Sequence, residues 1–115
     1  MKNLKIIPPT LREKRRYIAF QVIPEEKEDF VYSDLEAAIW NVSLDFLGEL
    51  GVAKTSMWLL KEKWNPKKNI GIIRCNHKST EKIIASLGLI DRLGDTRICF
   101  KILGVSGTIK GLRID

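Results

Sequence analysis

The chain has 115 residues, 44% hydrophobic and 30% charged, the proportions of one globular domain and too few residues for two. No apolar run approaches the ~20 residues of a membrane span, and the basic opening MKNLKIIPPTLREKRR has no signal-peptide core, so an intracellular, cytoplasmic protein is expected. The net charge of +6 hides a division: residues 1–16 carry net +5, residues 17–53 net −7 and residues 54–115 net +8.

That division predicts one negative face and one or two positive ones, as suits a molecule meeting a polyanion on one side. The plainer alternative is the solvated charged surface of a heat-adapted protein.

Residues 1–14 contain Pro8 and Pro9 and no sustained period, so they read as a basic extended tail ahead of one domain at 15–115. RRYIAFQVI, 15–23, predicts a strand with Ile18, Phe20 and Val22 on one face and Tyr17, Ala19 and Gln21 on the other. Ser33 and Glu36 have capping-box spacing. Behind them Leu35, Ile39, Val42, Phe46 and Leu50 recur at helical intervals, predicting a helix of about 17 residues stopped by Gly51.

A second strand is expected in KTSMWLLKEKW, 54–64, where Trp58 and Trp64 would share a face with Leu60 as core or partner interface. The tetrad NPKK, 65–68, predicts a turn, and NIGIIRC, 69–75, a third strand completing a hairpin. Ser79 is placed to cap a shorter helix, STEKIIASLGLI, with Ile83, Ile84, Leu87 and Ile90 as its apolar stripe. TRICFKIL, 96–103, predicts a fourth strand. The order strand, helix, strand, strand, helix, strand predicts a ferredoxin-like or RRM-like βαββαβ sandwich of the α+β class. Its four-stranded antiparallel sheet would carry both helices on one face.

The inventory for catalysis is thin. His77 is the only histidine, which excludes a paired-imidazole mechanism and reads as a surface or capping residue. Cys75 and Cys99 stand 24 positions apart with no CxxC pairing, so buried packing is expected of both and a metal cage of neither. Asp45 and Glu49, four apart, would share a helix face and read as solvated carboxylates. GVSGTIKG, 104–111, resembles a phosphate cradle, but its spacing matches neither GxxxxGK nor GxGxxG, and too little chain follows for the helix such a loop requires. It reads as the exit of the last strand.

Cations are plentiful. Arg12, Lys14, Arg15 and Arg16 precede the first strand, Lys61, Lys63, Lys67 and Lys68 crowd the hairpin, Arg74, His77 and Lys78 close the third strand, and Lys110 and Arg113 lie near the end. All are candidates to neutralise RNA phosphates, with strongly salt-dependent binding. The third strand lacks the aromatics of RRM-type stacking, so recognition of folded RNA by shape and backbone is expected.

PPTLREKRRYIAFQV, GIIRCNHKS and VSGTIKGLR, in this order over residues 8–113, resemble the archaeal ribonuclease P protein component 2 family, related to a eukaryotic RNase P and RNase MRP subunit. The resemblance implies a non-catalytic subunit of a ribonucleoprotein whose RNA, using Mg²⁺, removes the 5′ leader from precursor tRNA. It implies no cofactor on the protein itself. The implied partners are the RNase P RNA, precursor tRNA, a TIM-barrel-like protein subunit and a second copy of the chain, as a homodimer within a heterotetramer. Arg15, Arg16, Arg74, His77, Lys110 and Arg113 fall within the matching segments and are the RNA-contact candidates it selects. Two other readings stand beside it: a ferredoxin-like domain that binds a small regulatory molecule, and a stand-alone metal-dependent nuclease.

Overall fold

In the computed structural model, residues 14–25 and 30–113 are described. The strands and helices run β1 (Arg15–Pro24), α1 (Tyr32–Thr55), β2 (Trp58–Leu59), β3 (Ile70–Asn76), α2 (Thr80–Gly88), β4 (Arg92–Leu93) and β5 (Thr96–Ser106). Single 3₁₀ turns at Lys61–Lys63 and Lys110–Leu112 complete the series. The sheet is antiparallel, in the order β2-β3-β1-β5-β4.

β1 lies at its centre because its alternation serves both faces. Ile18, Phe20 and Val22 join Leu35 and Ile39 of α1 and Ile83 and Leu87 of α2 in the main core, so both helices cover one face. Ala19 points the other way, into a smaller cluster with Leu60, Ile72 and Leu112. The turn bearing Leu112 therefore folds back over part of the face that the helices leave open.

There are five strands rather than four. The short β4 forms a two-residue hairpin with β5, Leu93 opposite Thr96, around Gly94 at φ +63°. The Gly94-Asp95 pair was its signal in the sequence.

β2 is only two residues long: Lys54 and Thr55 belong to α1, and after Leu60 donates to the Ile72 carbonyl at 3.0 Å the chain winds into a 3₁₀ turn. β5 runs on through Gly104 to Ser106 because a bulge between Ala19 and Phe20 leaves Leu103 unopposed and restores pairing of Ala19 with Gly104. The hairpin turn at 65–68 is as expected, fixed by Asn65 Oδ1 accepting the amides of Lys67 and Lys68 at 3.0 and 3.2 Å.

α1 has 24 residues and passes through Gly51; its break is at Gly48, φ +76° and ψ 168°, a conformation that costs glycine little. The N-cap is Val31, whose carbonyl accepts the amides of Asp34 and Leu35, so Ser33 lies inside the first turn and the expected capping box does not form. Ser79 does occupy the N-cap of α2, with no side-chain hydrogen bond. The apolar stripe holds at Leu35, Ile39 and half-buried Val42; beyond it Ser43, Leu47, Val52 and Thr55 face the core, while Phe46 and Leu50 are exposed.

Candidate nucleic-acid interface

Antiparallel pairing gathers the start of β1 beside the end of β3. Arg15 stands opposite Asn76, Arg16 opposite Cys75 and Tyr17 opposite Arg74, while the His77 amide donates to the Lys14 carbonyl at 2.8 Å. Lys14, Arg15, Arg16, Arg74, His77 and Lys78 thus form one basic rim. Alternation holds its floor in place: Ile18 and Ile73 are fully buried and Cys75 nearly so, which turns Arg74 outward.

At the rim Arg15, Ser56, Arg74, Cys75 and Asn76 line a cleft of about 220 Å³ with no carboxylate among them. The Asn76 amide donates to the Lys54 carbonyl, tying the end of α1 to β3. Asn76 Oδ1 and His77 Nδ1 are buried without hydrogen-bond partners, a cost that an arriving donor or acceptor relieves. Burial raises the Cys75 thiol from 9.0 to about 11, opposed by the Arg16 guanidinium.

The hairpin lysines do not join this rim. Lys61, Lys63, Lys67 and Lys68 lie at the other end of β3, where Gln21 Nε2 donates to the Lys68 carbonyl at 3.0 Å. Six residues of extended strand separate the ends, roughly 20 Å. Lys110 and Arg113 are exposed on either side of buried Leu112, on the helix-free face. Arg12 lies outside the described residues.

In GVSGTIKG the close approach is at Gly111, where a Cβ would overlap the Ser106 hydroxyl. That hydroxyl accepts from the Thr108 amide at 3.3 Å, and Thr108 Oγ1 accepts from the Gly111 amide at 3.0 Å. The motif is a hydroxyl-braced turn that places Leu112.

Several expectations are corrected. Trp58 and Trp64 do not share a face: Trp64 packs against the main core with its ring 5.2 Å from that of Tyr32, whereas Trp58 is 57% exposed on the opposite side of β2 from buried Leu59. Cys99 is exposed, because it alternates with Ile98, Phe100 and Ile102, which take the core side of β5, and so lies on the face the helices leave open. Asp45 and Glu49 straddle the Gly48 break and do not form a regular i,i+4 pair. Trp58 and Ser56 were missed as rim residues; the signal for Trp58 was its alternation with Leu59.

A second cleft, about 440 Å³, lies at the far end of β1 and mixes Glu25 and Asp91 with Arg97 beside Ile23, Ile98 and Cys99. Among the described residues no group of three or more His, Cys, Asp or Glu side chains stands close enough to hold a metal ion, and no helix is long and apolar enough to cross a membrane.

An antiparallel sheet with both helices on one side and basic side chains gathered at its rim and open face defines a small α/β protein. The chain belongs to the Rpp14/Pop5 family, whose model matches residues 16–114. Ribonuclease P protein component 2 of Pyrococcus furiosus is 46% identical over 109 residues, covering 95% of this chain and 88% of the relative. The protein of the same name from Methanocaldococcus jannaschii is 37% identical, covering 99% and 81%. A chain in the cryo-EM structure of yeast ribonuclease MRP shares the fold, with a TM-score of 0.63 and 14% identity, covering 84% of this chain and 76% of that one.

Proposed function

We propose that the chain is a non-catalytic protein subunit of ribonuclease P that supports a catalytic RNA in removing the 5′ leader from precursor tRNA. The observation that carries this reading is the basic rim of Arg15, Arg16, Arg74, His77 and Lys78, assembled by β1–β3 pairing in a member of this family. Cations held on a rigid sheet lower repulsion between phosphates, order the RNA and reduce the Mg²⁺ it needs; the metal belongs to the RNA. The strand order β2-β3-β1-β5, with both helices on one face, supports a ferredoxin-like core to which β4 is an addition.

The second half of α1 is the docking face for a protein partner, a TIM-barrel-like subunit or a second copy of the chain. Phe46, Leu50 and Leu44 are exposed there beside Asp45 and Glu49, a mixture of apolar anchors and charge that suits an interface. Reconstitution tests the function. At low Mg²⁺, leader cleavage by the RNA with its other proteins should fall sharply when this chain is omitted; unchanged cleavage sinks the proposal.

A further inference from the structure

Beyond general phosphate contact, we propose that the helix-free face carries a seat for one unpaired RNA nucleotide, its base stacked on Trp58 and its phosphate held by Arg15 and Arg74. The seat rests on the RNA-binding reading above and adds to it a specific ligand class. Register is the first observation: Trp58 on β2 and Tyr17 on β1 both stand directly opposite Arg74 on β3. Cross-strand neighbours bring their Cβ atoms to roughly 5 Å, so an indole, a guanidinium and a phenol form one row across three strands.

Exposure is the second. Trp64 and Trp40 pack against the main core, whereas Trp58 is 57% exposed. Cleft geometry is the third: Arg74 belongs both to the row and to the 220 Å³ cleft, so the aromatic surface and the paired guanidiniums meet at one side chain. A phosphate with its ribose fits that volume, and the base then lies outside it, over the indole.

A protein ligand suits this spot less well. Apolar interfaces cluster anchors, yet the residue opposite Trp58 is a cation, and the grouped exposed apolar side chains Leu44, Phe46 and Leu50 lie on α1, which packs on the other face, with Val105 of β5 exposed apart from them. A flat π-face bordered by guanidiniums is what a nucleobase and its phosphate recognise, and a base already paired in a duplex cannot present its face.

The test uses the full chain with labelled single-stranded hexauridylate and hexa-adenylate, and an RNA duplex of equal length. Wild type should bind the single strands with quenching of tryptophan emission. Trp58→Ala should weaken that binding about 5- to 100-fold without shifting the thermal midpoint, and Trp58→Phe should retain most of it. Arg15→Ala and Arg74→Ala should each flatten the salt slope by about one, which Trp58→Ala leaves unchanged. Equal binding by wild type and Trp58→Ala overturns the seat and leaves the subunit reading intact. So does an equal loss on duplex, or release of a protein partner by Trp58→Ala with RNA affinity preserved. Wild type that binds no RNA overturns both.

Discussion

The second half of α1 and the rim where β1 begins and β3 ends grow from the same core, yet they present opposite surfaces. Along β3 the period of two is unbroken, so Ile73 and Cys75 go into the main core, Ile72 into the smaller cluster, and Arg74 comes out at the rim; β3 leaves no apolar side chain of its own exposed there. Along α1 the period breaks at Gly48, and Phe46 and Leu50, 52% and 72% exposed, turn away from the core while Val52 and Thr55 return to it. The difference teaches that a regular strand sorts its side chains for one solvent. A kinked helix instead leaves an apolar remainder, which persists where a partner covers it. Crowded cations at the rim repel one another, a cost that a polyanion offsets.

The largest expected effect erases the comparison. Phe20 is fully buried with its ring 5.5 Å from that of Phe100. Phe20→Ala should cost about 3–5 kcal/mol in denaturant unfolding and remove both surfaces together. Retention of one surface alone in that variant would show that the two do not share a core.

A more selective pair of changes should separate them. Phe46→Asp with Leu50→Asp should weaken binding of the protein partner roughly 30-fold or more by calorimetric titration. RNA affinity and its salt slope should stay where they were; a parallel fall in RNA affinity would mean that the helix surface also serves the RNA.

The smallest effect tests the floor of the rim. Cys75 is raised from 9.0 to about 11 because burial disfavours its thiolate. The unfolded chain therefore loses this proton first, so the stabilisation is complete below pH 9 and is lost as pH rises towards 11. Tyr32, pushed up to about 12 by burial and by Glu36 and Glu62, adds a loss of the same sign at higher pH. Urea midpoints between pH 8 and 11 should fall less steeply in Cys75→Val than in wild type. Identical slopes would place the titration elsewhere.

Much of this was legible in the chain, because strand alternation and charge are local properties. RRYIAFQVI put Ile18, Phe20 and Val22 on one face, the one the helices cover, NIGIIRC was a strand with Arg74 near its end, and the three-way charge division set an acidic stretch at 17–53 between basic ones. What depended on distant contacts was not legible. Gly48 rather than Gly51 breaks α1 because Val52 and Thr55 must reach the core, and the bulge in β5 exists because Leu103 joins the cluster under Leu112. The thirteen candidate cations formed one list in the sequence. Antiparallel register alone gathered some at the rim, sent the hairpin lysines to the other end of β3, and set Trp58 and Tyr17 either side of Arg74. Residue type and period decide which way a side chain points. Only the pairing of strands far apart in sequence decides what it points beside.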